Sequence, residues 1–316
     1  MTGLTGLTRG VLALLAVAFG ALVAPLLAPH DPDEMVDVAS ARYLPPGAHL
    51  FVFSLADSRT LAVEKFVIEE RTLAYRRAGE EGSIPLEALS STVPQRRRFL
   101  LGTDPFGRDL LSRVLHGARV SLSLGLIAVA IGVALGAASG AVSGYLGGWA
   151  DAALMRLVDV LNAVPRLFLF LMCAALFGPS ALLLVLVLGG TGWMGIARIT
   201  RGQVLSIRQR PFVEAAQALG GGTLSILGRH VLPQCAGTLA VSASLLAADT
   251  ILAESSLSFI GLGIQPPSAS WGNIIAAGRD ALVEAWWISA FPGLAILATV
   301  LILYGAGRAA SREAAR

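Results

Sequence analysis

Very few residues in this chain could carry covalent or metal chemistry, and their placement argues against both. Lysine occurs once, as Lys65. A phosphate-binding loop of the form G-x4-G-K-[ST] needs a lysine reaching the phosphates, so the chain cannot carry that site. The four histidines, His30, His49, His116 and His230, stand outside the apolar runs. A serine nucleophile at membrane depth would therefore have no base, and the H-E-x-x-H pattern is absent. Cys173 and Cys235 lie in or beside apolar runs and read as packing residues, not as a disulfide. No Cys or His pair has metal-ligand spacing, so no metal site is expected.

What remains is charge in unusual places. Arg156 and Asp159 stand one turn apart inside an apolar run, close enough on a helix to form a structural ion pair. Asp249 and Glu254 fall in the second half of another run. Carboxylates there are costly unless paired or facing water, so at least one is expected to line a translocation path. Their spacing puts them about 140° apart around a helix, which disfavours one shared face. Glu254 is the better candidate for a structural role. Such groups are also the usual mark of an ion-coupled secondary transporter, which stays open as an alternative.

The elements that must position these charges are membrane helices. The chain has 316 residues, 55% hydrophobic and 14% charged, with a net charge of +3 and a mean hydropathy of +0.70. A soluble domain cannot hide that much apolar surface. The arginines are dispersed without interleaved aromatics, so nucleic acid is not an expected partner. The spacing predicts an all-α membrane protein with six spans, near 11–28, 120–145, 152–177, 181–197, 234–255 and 285–305. The first follows Arg9 and could be a signal peptide, but its length and its proline-containing end read better as an uncleaved span. Gly178-Pro179 divides the third span from the fourth. With the N-terminus inside, Arg198, Arg201, Arg208, Arg210 and Arg229 share one cytoplasmic loop. Arg308, Arg312 and Arg316 make a cytoplasmic tail at 307–316, as the positive-inside rule requires. Residues 1–28 hold the first span and 120–306 the remaining helical core. Residues 29–119 form an extracytoplasmic segment. Its stretch at 43–98 alternates like strands and predicts a small β-rich subdomain, with a partly ordered loop as the alternative. Gly132, Gly136, Gly140 and Gly144 make a flat ridge on the second span, and Ala236, Ala240, Ser244 and Ala248 make another on the fifth.

One polar interruption stands out: "RPFVEAAQALGGGTLSILGRHVLP", residues 210–233. Pro211 suits a first helical position, and Glu214 falls in the first turn, where the helix dipole favours an anion. Ala215, Ala216, Ala218 and Leu219 favour helix. Gly220, Gly221 and Gly222 end it, Thr223 can cap a second helix, and that helix should run to Pro233.

"EAAQALG", nine residues, then "HVLP" resembles the EAA loop of binding-protein-dependent ABC importer permeases, E-A-A-x3-G-x9-I-x-L-P. Glu214, Ala215, Ala216, Gly220, Leu232 and Pro233 match, and His230 stands where isoleucine is usual. "LLGTDPFGRDLLSRVLHGARVSLSLG" (100–125) and "ESSLSFIGLGIQPPSASWGNII" (254–275) resemble the second permease of dipeptide, oligopeptide and nickel systems. The longer segment at 43–98, Arg166 after Pro165, and the tail "LYGAGRAASREAAR" depart from that pattern. The resemblance implies a type I ABC importer permease in the bacterial inner membrane, with both termini cytoplasmic. It implies a second homologous permease, two ATPase subunits that bind ATP and Mg, and an extracytoplasmic binding protein, and no cofactor on this chain. The EAA loop, 199–233, would dock into an ATPase through Glu214, Ala215, Ala216, Leu219, Gly220, Leu232 and Pro233. Peptides lead as the substrate, with nickel chelates and small glycosides as alternatives.

Overall fold

A computed structural model of the protein describes residues 12, 15–57 and 59–314, with residues 309–314 described by their backbone alone. Arg9, the first residue of the expected first span and Arg316 lie outside the described residues, as does the side chain of Arg312. The chain forms two compact units. One comprises Met1–Gly20, Ser121–Leu257 and Ile296–Arg316; the other comprises Ala21–Val120 and Ser258–Ala295.

The helices are α1 (Leu15–Leu27), α2 (Val38–Ala41), α3 (Leu110–Leu146), α4 (Gly148–Asn162), α5 (Arg166–Phe177), α6 (Ala181–Ile207), α7 (Pro211–Ala218), α8 (Thr223–Ile226), α9 (Leu232–Phe259), α10 (Trp271–Ala277) and α11 (Trp287–Ala314). Among the described residues, four stretches are long and apolar enough to cross a membrane: α3, α6, the continuous Thr223–Phe259 and the first part of α11. The expected third span is not one straight helix. It is the pair α4 and α5, bent by 72°. Pro165 stands in the break as the residue before α5, itself extended with ψ of 128°, and proline disfavours the α region for the residue ahead of it. Two other expected boundaries also move. α3 begins at Leu110, so 110–119 is helical and not loop, and α6 runs on to Ile207, so Arg198 and Arg201 lie on a helix.

Within the first unit, the glycine ridge of α3 is a contact surface for α6. A Cβ at Gly136 would come within 2.7 Å of Trp193 O and of Ile196 Cβ, and one at Gly144 within 2.8 Å of Arg201 O. Glycine lets the two backbones approach where any side chain would collide.

Among the described residues the second unit carries six strands: β1 (His49–Ser54), β2 (Thr60–Val63), β3 (Lys65–Glu69), β4 (Thr72–Arg77), β5 (Glu80–Pro85) and β6 (Gln95–Arg98). They form two antiparallel three-stranded sheets, ordered β2-β1-β6 and β3-β4-β5. Phe53, Leu61, Val63 and Leu73 make one buried cluster of this unit, and Phe66 meets Phe51 and Phe53 edge-on at 5.1 Å. A second cluster joins Val36, Ala41, Leu50, Val52, Ala62 and Phe99, so the sheets share a core with their flanking chain.

Candidate functional site

The hairpin at 211–226 is built by local rules. Arg210 is extended, and Pro211 opens α7 at a position whose missing N–H costs nothing. Glu214 falls in the first turn and is exposed. The stop is a Schellman motif. The Gly220 N–H donates to Gln217 O at 2.9 Å and the Gly221 N–H to Ala216 O at 3.0 Å, with Gly220 at φ +77°. Gly222, not Thr223, caps α8, and it does so through its backbone: Ile226 N–H donates to Gly222 O at 3.0 Å.

Two faces result. The inner one inserts Val213 and Ile226 into a buried cluster with Ala141, Val204, Ile207, Leu227, Val231 and Cys235. Ala216 and Leu232 are partly buried and pack against that cluster. Gln217 Nε2 donates to Tyr145 Oη at 2.9 Å, and Arg208 Nη1 donates to the carbonyls of Gly144 and Tyr145 at 3.1 and 3.3 Å, tying α7 and the end of α6 to the end of α3. The outer face presents Phe212, Glu214, Ala215, Ala218 and Gly220, with Leu219 90% and Leu224 84% exposed. Phe212 and Leu224 were missed from sequence. Their signal was an apolar side chain off the inward-facing positions of a short helix: Phe212 beside Val213 on α7, and Leu224 two residues before Ile226 on α8.

Pro233 does not end a helix. Thr223–Phe259 is continuous, with a π-helical turn at Leu227–Val231 in which Leu232 N–H donates to Leu227 O. Proline has no N–H and its ring clashes with the carbonyl four residues back; the wider turn just before Pro233 relieves that clash. Such turns are frequent at functional sites.

The charges also pair differently from expectation. Asp159 does not join Arg156, its neighbour on α4. Arg198 of α6 donates to Asp159 Oδ1 at 2.8 Å. A second bridge, missed from sequence, lies nearby: Arg201 Nε and Nη2 donate to the two carboxylate oxygens of Asp151 at 2.5 and 2.6 Å, and Ser143 Oγ donates to the same group. Pairs 39 and 50 residues apart leave no sequence periodicity. Asp249 is exposed on α9 and accepts a hydrogen bond from Tyr304 Oη at 2.8 Å. Glu254 is buried, with Ser255 Oγ donating to it at 3.3 Å.

In the second unit, the two other motif blocks meet. Asp104 accepts from the Phe106 and Arg108 amides and from the Arg108 guanidinium at 2.6–2.7 Å, closing a tight turn before α3. Ser270 and Asn273 form a reciprocal capping box on α10. Trp271 Nε1 donates to Val114 O at 3.0 Å, and Ile274 joins Leu110 in one buried cluster. Both blocks thus read here as scaffold. No group of three or more metal-ligating side chains occurs among the described residues.

Residues 129–315 match the family described as binding-protein-dependent transport system inner membrane component. The di/tripeptide transport system permease protein DppC of Pseudomonas aeruginosa (strain UCBPP-PA14) is 34% identical over 298 residues, covering 94% of this chain and 84% of that protein. The oligopeptide transport system permease protein OppC of Escherichia coli (strain K12) is 44% identical over 212 residues, covering 67% and 70%. Among solved structures, an inward-facing MetNI methionine ABC transporter aligns with a TM-score of 0.52 at 15% identity, over 64% of this chain and 96% of that one. That likeness speaks to the fold of the helical core.

Proposed function

This chain belongs to the family of inner membrane components of binding-protein-dependent transport systems, and from that premise we propose that it is a permease subunit of an ATP-driven peptide importer. The supporting observation is the two-faced hairpin. A helix seated on the buried Val213 and Ile226, yet presenting Leu219 and Leu224 outward, is suited to receive force from a soluble partner and pass it to α3, α6 and α9. The partner is an ATPase subunit, one of two, which binds ATP and Mg. This chain binds no cofactor and hydrolyses nothing.

In this reading the chain crosses the membrane six times, through α1, α3, the bent α4–α5 pair, α6, Thr223–Phe259 and α11, with both termini in the cytoplasm. A second, homologous permease completes the path, and an extracytoplasmic binding protein delivers substrate to the side carrying the strands. The peptide assignment follows the names of the relatives above. Asp249, exposed and held by Tyr304, is the candidate for contact with a peptide's amino group; Glu254 is structural.

The test is co-purification of the ATPase with the full chain, together with uptake of labelled di- and tripeptides in reconstituted vesicles. Leu219→Asp and Leu224→Asp place a charge in the docking face without touching the buried cluster. Each should cut ATPase recovery roughly ten-fold, the scale of a buried hydrophobic anchor, and uptake with it. Full recovery from both well-folded variants would remove the hairpin from the interface. Uptake that needs no ATPase but collapses with the ion gradient would replace the importer by a secondary carrier.

A further inference from the structure

We propose that strand β3 pairs antiparallel with β3 of a second copy of this chain, joining two sheets into one. Among the described residues β3 has a strand neighbour on one side only, β4. The other edge strands are protected. β6 carries Arg96, Arg97 and Arg98; β5 carries Glu80, Glu81 and Pro85; β2 buries Leu61, Ala62 and Val63. Charges and proline blunt an edge against pairing. β3 instead leaves Val67 62% and Ile68 46% exposed. An open apolar edge is a template for another strand.

The identity of that strand follows from the sequence of β3, Lys-Phe-Val-Ile-Glu. Antiparallel pairing centred on Val67 sets Lys65 opposite Glu69 of the second copy, Phe66 opposite Ile68, and Val67 opposite itself. Both ion pairs form at once, as a two-fold contact demands. Neighbouring registers do worse. Centring on Ile68 sets Lys65 opposite Arg71 and Phe66 opposite Glu70; centring on Phe66 sets Glu64 opposite Ile68. A parallel pairing brings like charges together.

The existing sheet asks for the same charge. Across it, Glu81 faces Arg76, and Arg76 faces Lys65. Glu81 pairs with Arg76 at 3.1 Å, leaving Lys65 as a second cation beside it. Neither Lys65 nor Glu69 makes an ion pair among the described residues. A next strand carrying a carboxylate at that row balances it, and Glu69 of a second copy supplies one. The result is a six-stranded sheet, with the aliphatic edge covered. This inference is independent of the transport assignment.

Disulfide trapping in native membranes tests it on the full chain. Val67→Cys should form a chain-to-chain disulfide under mild oxidation, above the background of the native cysteines. Ile68→Cys should give several-fold less, because 68 faces 66 and not itself. On the Val67→Cys chain, Lys65→Glu or Glu69→Lys alone should lower the yield roughly five-fold, since each swaps two ion pairs for two like-charge contacts. The two reversals together restore opposite charges and should restore the yield. The proposal is overturned by any one of four results: no Val67→Cys dimer, equal trapping at 67 and 68, single reversals without effect, or a disulfide to a different polypeptide.

Discussion

Asp151 receives three donors, two from Arg201 and one from Ser143, while half-buried between α3, α4 and α6. A bidentate guanidinium–carboxylate bridge of this kind is among the stronger polar contacts. Both groups are only half-buried, so removing one partner leaves the other partly open to water, at a cost of about 1 kcal/mol. Asp151→Asn and Arg201→Gln should therefore each lower the thermal midpoint of the detergent-solubilised chain. The double variant should lose less than the sum, with a coupling energy on the order of 1–2 kcal/mol. Strict additivity in that cycle would mean the bridge contributes nothing beyond its separate parts.

At the scale of elements, the α3–α6 seam depends on glycine. Gly136→Ala places a methyl 2.7 Å from Trp193 O and Ile196 Cβ, whereas a Cβ at Gly190 on α6 meets nothing within 4 Å. Overpacking of a tight seam costs about 1–3 kcal/mol. Gly136→Ala should lower the thermal midpoint, and Gly190→Ala should leave it unchanged or raise it slightly; equal effects would refute the seam. This ridge was legible in sequence because spacing by four is itself the geometry of a helix face. So was the stop at Gly220, because the backbone of a helix terminus requires positive φ there. The inward turn of Ala216 was equally open to inspection, lying three residues from Val213 on one stripe. Other features were masked or left no local trace. The start of α3 at Leu110 has helical spacing in Leu110, Val114 and Ala118, but Arg108, Asp109, Arg113 and Arg119 among them hid it from a search for uncharged spans. The partner of Asp159 lies on another helix, and a neighbour at one turn in sequence proved weaker guidance than Arg198 in space. The π turn that carries Pro233 inside a helix depends on the shape of the chain before it, which no propensity encodes.

For the whole molecule, the proposed role asks two separable things of the hairpin: to hold an ATPase and to move the helices. Under that proposal the exposed Leu219 and Leu224 would serve the first, and the Schellman stop at Gly220 would serve the second, because it fixes the angle at which the chain turns back into α8 and Thr223–Phe259. Gly220 sits at φ +77°, and a β-branched side chain there is strained. Nothing lies within 4 Å of its would-be Cβ, so the penalty is conformational and not a clash. Gly220→Val should redirect α8 while leaving Val213 and the outer face of α7 in place. The expected phenotype is retained ATPase co-purification and retained membrane insertion, with peptide-stimulated ATP hydrolysis no longer matched by uptake. Gly220→Asn, a residue that tolerates positive φ, should recover most of the coupling. If Gly220→Val transports normally, the turn is not the hinge through which ATP hydrolysis reaches the path. If Val and Asn fail alike, the small size of glycine is required there, and its backbone conformation is not the reason.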